Sequence, residues 1–177
     1  MLERITAEKA GELSREEFVE KFGPLFEDSP WVAERAWERR PFPDFEELRG
    51  ALVGEMYRAS RKEQVELIQS HPDLAGKAAI AGELTPESTG EQASAGLDRL
   101  SAEEYEAFTR MNRDYRERFG LPMVVCVREH DKDSILRFAG ERLANSTEQE
   151  IDTALAEISK IATLRLRDLI HDSRSNA

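Results

Sequence analysis

The sequence predicts an all-α fold: a single compact domain of about eight helices that spans residues 1–177, with one short extended apolar segment. Apolar residues recur at spacings of three and four along most of the chain, which is the helical period. Ser/Thr-x-x-Glu pairs mark where helices begin. In such a capping box the hydroxyl accepts from the backbone N–H of the glutamate, and the glutamate side chain accepts from the backbone N–H of the Ser or Thr. Four such capping boxes occur: Ser14 with Glu17, Ser60 with Glu63, Ser101 with Glu104, and Thr147 with Glu150.

The first third of the chain carries four predicted helices. The first runs from about Arg15 to Phe22, and the second from Trp31 to Arg39, where two prolines follow. Asp44 caps the third, which has a helical apolar stripe. The Ser60 box begins the fourth, which ends near Ser70-His71 because a residue before proline is pushed out of the α region.

The middle of the chain predicts three more helices. A short one follows from about Asp73 to Ala81, and Thr85-Pro86 begins another, since proline suits the first helical position. The Ser101 box begins a long helix that Gly120 ends. The apolar run 123–127 is then expected to be a buried extended segment, and its backbone groups need partners, some of which a polar ligand would supply.

Two helices complete the chain, from Ile135 to Leu143 and from Thr147 to about Ile170. The inward face of the last helix is apolar except at Arg165. An inward charge must be paired or must serve a ligand. A structural ion pair and a ligand contact both remain open for this arginine.

Composition narrows the class of protein. The chain has 25 Lys+Arg and 36 Asp+Glu, a net charge of −11, which disfavours nucleic acid and anionic membranes as partners. A single cysteine, Cys126, is typical of a reducing compartment. The charged N-terminal residues 1–18 do not resemble a signal peptide, and residues 173–177 are not a peroxisomal signal. We therefore expect a cytoplasmic protein.

Residues that can do chemistry are concentrated between Ser70 and Leu97. His71 is expected where a helix ends, and the helix after Thr85 places four residues on one face, since their offsets are three, four and seven. These four are Ser88, Glu91, Gln92 and Ala95. Together with an inward arginine, a histidine, a carboxylate, a hydroxyl and an amide can act as an acid/base site with an anion anchor.

Simpler interpretations stay open. Most lone histidines are surface or satisfied core residues, and the Ser88–Gln92 face is also compatible with an ordinary well-capped helix. Other catalytic classes fit less well. The apolar surroundings of Cys126 argue against a nucleophilic thiol, a histidine partner at metal-ligand spacing is missing near His71, and a glycine-rich phosphate loop after a strand is not found.

Two adjacent motifs resemble one known family. HPDLAGK (71–77) followed by LTPESTGEQASAGL (84–97) is similar to the OHCU decarboxylases of purine and urate catabolism, where OHCU is 2-oxo-4-hydroxy-4-carboxy-5-ureidoimidazoline. Further similarity covers SPWVAERAWERRPFP (29–43), LPMVVCVRE (121–129) and residues 135–170. The resemblance therefore extends over nearly the whole chain.

This resemblance implies an all-α homodimeric carboxy-lyase without metal or organic cofactor, which forms (S)-allantoin and CO2 from OHCU. It implies that His71 is the catalytic acid/base and that Glu91 works beside it. The positions that match substrate contacts in the family are Pro72, Ser88, Thr89, Gly90, Glu91, Gln92, Met123, Val124, Val125, Cys126, Val127 and Arg165. The run MVVCV differs from the aromatic or isoleucine residues frequent in relatives, so backbone contacts are expected there more than side-chain contacts.

The expected mechanism needs no prosthetic electron sink, because the C=N of the substrate ring accepts the electrons that decarboxylation leaves. His71 then delivers a proton to one face of a planar intermediate. Two alternatives stay open: a helical binding module without turnover, and a lyase or hydrolase of a related ureido compound.

Overall fold

The computed structural model describes residues 3–171, without the side chain of Ala78. The ends of the predicted domain, including residues 173–177, lie outside the described residues. The described chain forms ten α-helices and two 3-10 turns, and its only β feature is an isolated bridge between Ile5 and Ile170. The all-α prediction is confirmed: about eight helices were expected, nine were placed individually in the sequence, and the tenth in the described residues is α1. The helices are α1 (Ala7–Glu12), α2 (Arg15–Phe22), α3 (Trp31–Trp37), α4 (Phe45–Arg58), α5 (Arg61–Gln69), α6 (Lys77–Ala81), α7 (Pro86–Ser94), α8 (Ala102–Phe119), α9 (Lys132–Arg142) and α10 (Thr147–Leu169).

The chain is organised in two compact units. The first, unit 1, comprises Met1–Leu67 and Ser159–Ala177, and the second, unit 2, comprises Ile68–Ile158. Helix α10 supplies residues to both. A single domain over residues 1–177 stays a prediction.

Unit 1 is built on the packing of α2 against α3 and of α3 against α4. Phe18 lies at its centre, with its ring centroid 4.7 Å from that of Phe22 and 5.8 Å from that of Phe42. All three rings are buried. Burying aromatic side chains contributes about 1.5–3 kcal/mol each to folding, so this cluster is a principal source of the unit's stability.

Unit 2 is built around α8, the longest helix that lies entirely within it, which packs against α9. Its inward side is the one the apolar spacing predicts, with Phe108, Met111, Asn112, Tyr115 and Phe119 buried. Gly120 ends the helix with φ = 68°, a left-handed conformation that glycine adopts without a Cβ clash. The predicted end of this helix is confirmed.

Most predicted helix starts are confirmed, and one capping box is wrong. The Ser14 and Ser60 boxes form with both reciprocal hydrogen bonds. At the start of α10 the box is instead formed one residue earlier, by Ser146 and Gln149. Glu150 cannot cap Thr147 because its carboxylate is buried and pairs with Arg142. The helix cap therefore lies one residue earlier than predicted, because Glu150 pairs with Arg142 and is not available to cap the helix.

The helix predicted from Asp73 to Ala81 is shorter, because α6 begins only at Lys77. Residues 73–76 form a turn in which the Asp73 carboxylate binds Arg116 and Ala75 has a left-handed φ of 51°. Side-chain contacts from α7 and α8 replace the helical hydrogen bonds there. The second predicted helix ends at Trp37, and α1, capped by Thr6, was not predicted.

Among the described residues, none of the helices combines the length and the apolar character that crossing a bilayer requires.

Candidate active site

His71 lies just beyond the end of α5, with Ser70 between them, as the proline that follows it predicts. Its backbone N–H donates to the carbonyl of Ile68, 3.1 Å away, which closes the last turn. The residue is only 7% exposed, so its imidazole is removed from bulk water. Pro72 is half-buried beside it. The fold therefore holds this histidine at the beginning of a loop, in a buried position.

The loop after His71 is fixed by side chains from two helices. Gln92 of α7 accepts from the Ala75 N–H through Oε1 (3.0 Å) and donates through Nε2 to the Asp73 carbonyl (3.4 Å). Asn112 of α8 donates to the Leu74 carbonyl at 2.9 Å. These amides satisfy the backbone groups of a short turn that has no helical ladder. They make the loop a rigid support for the histidine.

Helix α7 presents the polar face that the spacing predicts. Thr85 caps it by accepting from the Ser88 N–H at 3.2 Å. Ser88 and Gln92 are buried and Glu91 is half-buried, whereas Thr89 and Gly90 are exposed. Because Gln92 also binds the loop, the structure ties the helix that carries Glu91 to the loop that begins at His71.

The segment from Met123 to Val127 is buried throughout, as predicted. Two charged side chains bind its backbone: the Glu157 carboxylate accepts from the Cys126 N–H at 3.0 Å, and Arg142 Nη1 donates to the Val124 carbonyl at 2.5 Å. The 3-10 turn Val127–Glu129 that follows packs against α7. The fold thus brings the end of this segment to the helix of Ser88 and Glu91.

Val125 lies between the two bound residues. It is 2% exposed, and its backbone N–H and C=O make no hydrogen bond to another residue of the described part of the chain. Buried backbone groups are nearly always paired, so these two are available to a ligand that offers an acceptor and a donor.

Arg165 is buried in unit 1. Its Nη2 lies 3.0 Å from a carboxylate oxygen of Glu27, which is also buried, and its Nη1 donates to the Pro24 carbonyl at 3.2 Å. The inward orientation is confirmed, and a buried ion pair compensates the charge. A contact between Arg165 and substrate stays a prediction.

Comparison with known proteins shows which family this chain belongs to. The profile of one protein family, described as OHCU decarboxylase, matches residues 11–167. The chain belongs to the OHCU decarboxylase family.

Individual members of the family are similar to the chain over most of their length. The protein named 2-oxo-4-hydroxy-4-carboxy-5-ureidoimidazoline decarboxylase in Haloferax volcanii is 42% identical, covering 94% of this chain and 97% of that protein. The protein of the same name in Halalkalicoccus jeotgali is 40% identical, with 94% and 92% covered. A crystal structure of (S)-allantoin synthase superposes with a TM-score of 0.77 at 26% identity, covering 96% of this chain and 55% of that one.

The sequence did not predict the buried charged residues that bind the apolar segment 123–127 of this OHCU decarboxylase family member. Glu150 and Glu157 of α10 are seven residues apart, so both share the buried side with Ile151, Ala154 and Ile158. That spacing was a usable signal, because a carboxylate at a core position of an amphipathic helix requires a partner. Arg142, by contrast, lies at the end of α9, where a basic residue is ordinary.

A cavity of 570 Å³ lies in unit 2 beside α6, α7 and the beginning of α8. Of the residues predicted to bind substrate, only Thr89 and Gln92 line it. The rest of its wall is mainly apolar, including Ile80, Leu84 and Leu97. Neither His71 nor Glu91 lines this cavity, which shares Thr89 and Gln92 with the predicted substrate-binding positions.

Groups of three or more His, Cys, Asp or Glu side chains suited to a metal ion are not found between residues 3 and 171. Catalysis without metal or organic cofactor stays a prediction for this family member.

Proposed function

We propose that this chain decarboxylates 2-oxo-4-hydroxy-4-carboxy-5-ureidoimidazoline (OHCU) to (S)-allantoin and CO2 in urate degradation, with His71 as the proton donor. The relatives' names supply the reaction. The observation that carries the residue assignment is the placement of His71, which is 7% exposed and begins a loop that Gln92 ties to the helix of Glu91. This combination supports a general acid held away from bulk solvent.

The reaction balances without an oxidant or reductant. The bond between the ring carbon and the carboxylate breaks, and CO2 leaves without the electron pair. That pair forms a carbon–carbon double bond, while the electrons of the adjacent C=N move to nitrogen, which takes up a proton. A proton is then added to the carbon that carries the ureido group, and the neighbouring hydroxyl loses its proton to become a carbonyl. The net change is loss of CO2 and gain of one proton.

Stereochemistry is the part of this reaction that demands an enzyme. Protonation of a planar carbon from either face gives racemic allantoin, so a single donor on one side is needed for the (S) product. His71 is suited to this role because histidine exchanges protons near neutral pH. Glu91 on the adjacent face of α7 orients or charges the imidazole ring.

Further contacts in this proposal hold the substrate. Ser88, Thr89, Gly90 and Gln92 of α7, Pro72, and the backbone of the segment 123–127 bind the ureido and ring amides. The two backbone groups of Val125 support this assignment because they are buried and match an amide pair in a ligand. Arg165 is proposed to hold an anionic oxygen.

Replacing His71 tests the assignment. We expect His71→Ala and His71→Asn to remove stereoselective product formation, because neither side chain can supply the proton, while the fold is retained. OHCU is generated in place from urate with a urate oxidase and a hydroxyisourate hydrolase, and circular dichroism follows the (S)-allantoin signal. The spontaneous reaction gives racemate and therefore no lasting signal.

The matched control is His171→Asn, which changes an exposed histidine and should leave the signal unchanged. Full (S)-selective turnover by folded His71→Ala would disprove the proton-donor role. A flat trace with the folded wild type would instead disprove the reaction, and binding without turnover or activity on allantoin, allantoate or ureidoglycolate would then be measured.

We also propose that the chain is a cytoplasmic homodimer. The location is supported by the cysteine content: Cys126 is the one cysteine of the sequence and is buried, so the fold does not depend on an internal disulfide, as is typical of a reducing compartment. The dimer is supported by the family resemblance. Light scattering of the purified chain, which has a mass of 20.1 kDa, measures the assembly directly.

A further inference from the structure

We propose that Glu157 and Arg142 are positioning residues that fix the backbone of the segment 123–127, so that the N–H and C=O of Val125 face the substrate. This inference rests on the proposed function, since it assumes that the segment contacts the substrate. It assigns a task to two buried charges that the proton-transfer chemistry does not use.

The two anchors hold alternate residues of the segment. Arg142 binds the carbonyl of Val124, and Glu157 binds the N–H of Cys126. In an extended chain the backbone groups of residues i and i+2 point to one edge, and those of residue i+1 point to the opposite edge. Binding one edge at Val124 and Cys126 therefore directs the backbone of Val125 to the other edge.

Both anchors are buried, and Arg142 is held by a further ion pair. Arg142 is 2% exposed and Glu157 is 3% exposed. The Arg142 guanidinium lies 2.9 Å from Glu150, which also accepts from Asn145 Nδ2 at 2.9 Å and from the Tyr115 hydroxyl. Charge-assisted hydrogen bonds in a dry surrounding are stronger than neutral ones in water, so Arg142 keeps its geometry.

Both anchors connect the segment 123–127 to the same helix, α10. Glu157 belongs to α10 directly, and Arg142 is bound to α10 through Glu150, two helical turns away. The register of the segment is therefore set by α10. A shift of one residue would exchange the edges and turn the backbone of Val125 toward the anchors.

The ligand chemistry that fits Val125 is a cyclic ureide. One buried donor beside one buried acceptor matches an N–H next to a C=O, which is the arrangement along the edge of an imidazolone ring or a ureido group. Leaving such a pair unsatisfied costs more than the pair contributes when it is bound, so this wall discriminates against rings that lack either group.

Substitution at Glu157 tests the clamp. Glu157→Met keeps the volume and removes the acceptor of the Cys126 N–H. We expect it to raise KM for OHCU about tenfold with little change in kcat, the size of one lost charge-assisted hydrogen bond. Glu157→Gln retains an acceptor oxygen and should restore KM to within about twofold of the wild type. If Glu157→Met does not fold, Glu157→Asp serves the same comparison, because its carboxylate recedes by one methylene.

Hydrogen exchange measured by mass spectrometry provides a readout that does not depend on turnover. A peptide covering residues 121–127 should exchange about tenfold faster in Glu157→Met than in the wild type. The matched control is Glu55→Met, which removes a buried carboxylate that pairs with Arg39 and Arg58 in unit 1. It should change neither KM nor exchange in 121–127, although it loses stability.

The outcomes separate the two proposals. An inactive, folded wild type disproves the proposed function, while faster exchange in Glu157→Met still supports the clamp on the segment. An unchanged KM together with unchanged exchange in folded Glu157→Met overturns the clamp and leaves the proposed function intact. Equal rises in KM for Glu157→Met and Glu55→Met also overturn it, because the effect would then follow from lost stability.

Discussion

At the scale of single residues, buried charge determines the construction of unit 2. Glu150 is 0% exposed and has three donors, from Arg142, Asn145 and the Tyr115 hydroxyl. Burial raises the pKa of Tyr115 above its ordinary value of 10, so the phenol stays protonated and donates at every physiological pH. A carboxylate that is satisfied in this way is tolerated in a core where an isolated charge would not be.

Removing one member of the Arg142–Glu150 ion pair should lower the free energy of unfolding more than removing both members does. We expect Arg142→Met to lower the free energy of unfolding by about 3–5 kcal/mol, because it leaves Glu150 buried without its cation and the Val124 carbonyl without its donor. The double variant Arg142→Met/Glu150→Met should recover part of that loss. Urea unfolding followed by circular dichroism measures all three proteins.

The double-mutant cycle decides this prediction. Losses that simply add in the double variant would show that the two side chains do not interact in the folded state. A loss below about 1 kcal/mol for Arg142→Met would show that the carboxylate reaches water and that the pair behaves like a surface ion pair.

Individual site residues were predictable to the extent that their role is local. The position of His71 followed from Pro72, and the shared face of Ser88, Glu91 and Gln92 followed from helix geometry. The grip of Gln92 on the loop 73–75 was not predictable, because a hydrogen bond between residues 17 apart depends on how α7 packs. The same holds for Glu157 and Cys126, which are 31 residues apart.

At the scale of elements, the helix starts were the most predictable features, since a capping box is a contact within four residues. The Ser60 box is reinforced across the fold: Glu63 accepts from Ser60 N–H at 2.9 Å and from Arg35 Nη2 at 2.6 Å. The Arg35 hydrogen bond is the largest cause that lowers the pKa of Glu63 from 4.5 to about 2. The capping box predicted at Thr147 does not form, because Arg142, eight residues before Glu150, binds that carboxylate.

This pKa gives the start of α5 a pH dependence. A carboxylate whose pKa is lower in the folded than in the unfolded protein stabilises the fold above its unfolded pKa, and the effect is lost as pH falls toward its folded pKa. Wild type should therefore be more stable than Glu63→Gln at pH 7, with a constant difference down to about pH 4.5 that shrinks toward pH 2. Glutamine keeps the cap, so the comparison isolates the charge.

Thermal unfolding of both proteins between pH 7 and pH 3 measures this difference. High salt should reduce it, because the pair is partly exposed and therefore screened. A difference that stays constant to the lowest pH would show that the carboxylate titrates normally in the folded protein.

At the scale of the whole molecule, helix α10 connects the two units in sequence. Unit 1 takes its last helical residues from α10, whose first twelve residues, 147–158, belong to unit 2. In α10 the ion pair to Glu27 is made by Arg165, and the hydrogen bond to Cys126 is made by Glu157, eight residues earlier. Interrupting a continuous helix between these positions requires a new helix end with unsatisfied backbone groups. This continuity favours cooperative unfolding, as the single domain predicted from the sequence requires.

The tryptophans allow that prediction to be tested. Trp31 and Trp37 are the only two in the chain, and both lie on α3 in unit 1. Phe108 is fully buried in unit 2, so Phe108→Ala should destabilise that unit by about 3–5 kcal/mol. If the chain unfolds as one domain, the urea midpoint of tryptophan fluorescence falls together with that of far-UV circular dichroism, because loss of unit 2 then unfolds the unit that holds the tryptophans. A fluorescence midpoint that stays at the wild-type value, beside a circular dichroism curve with two steps, would show two independently folding units and would replace the single domain by two.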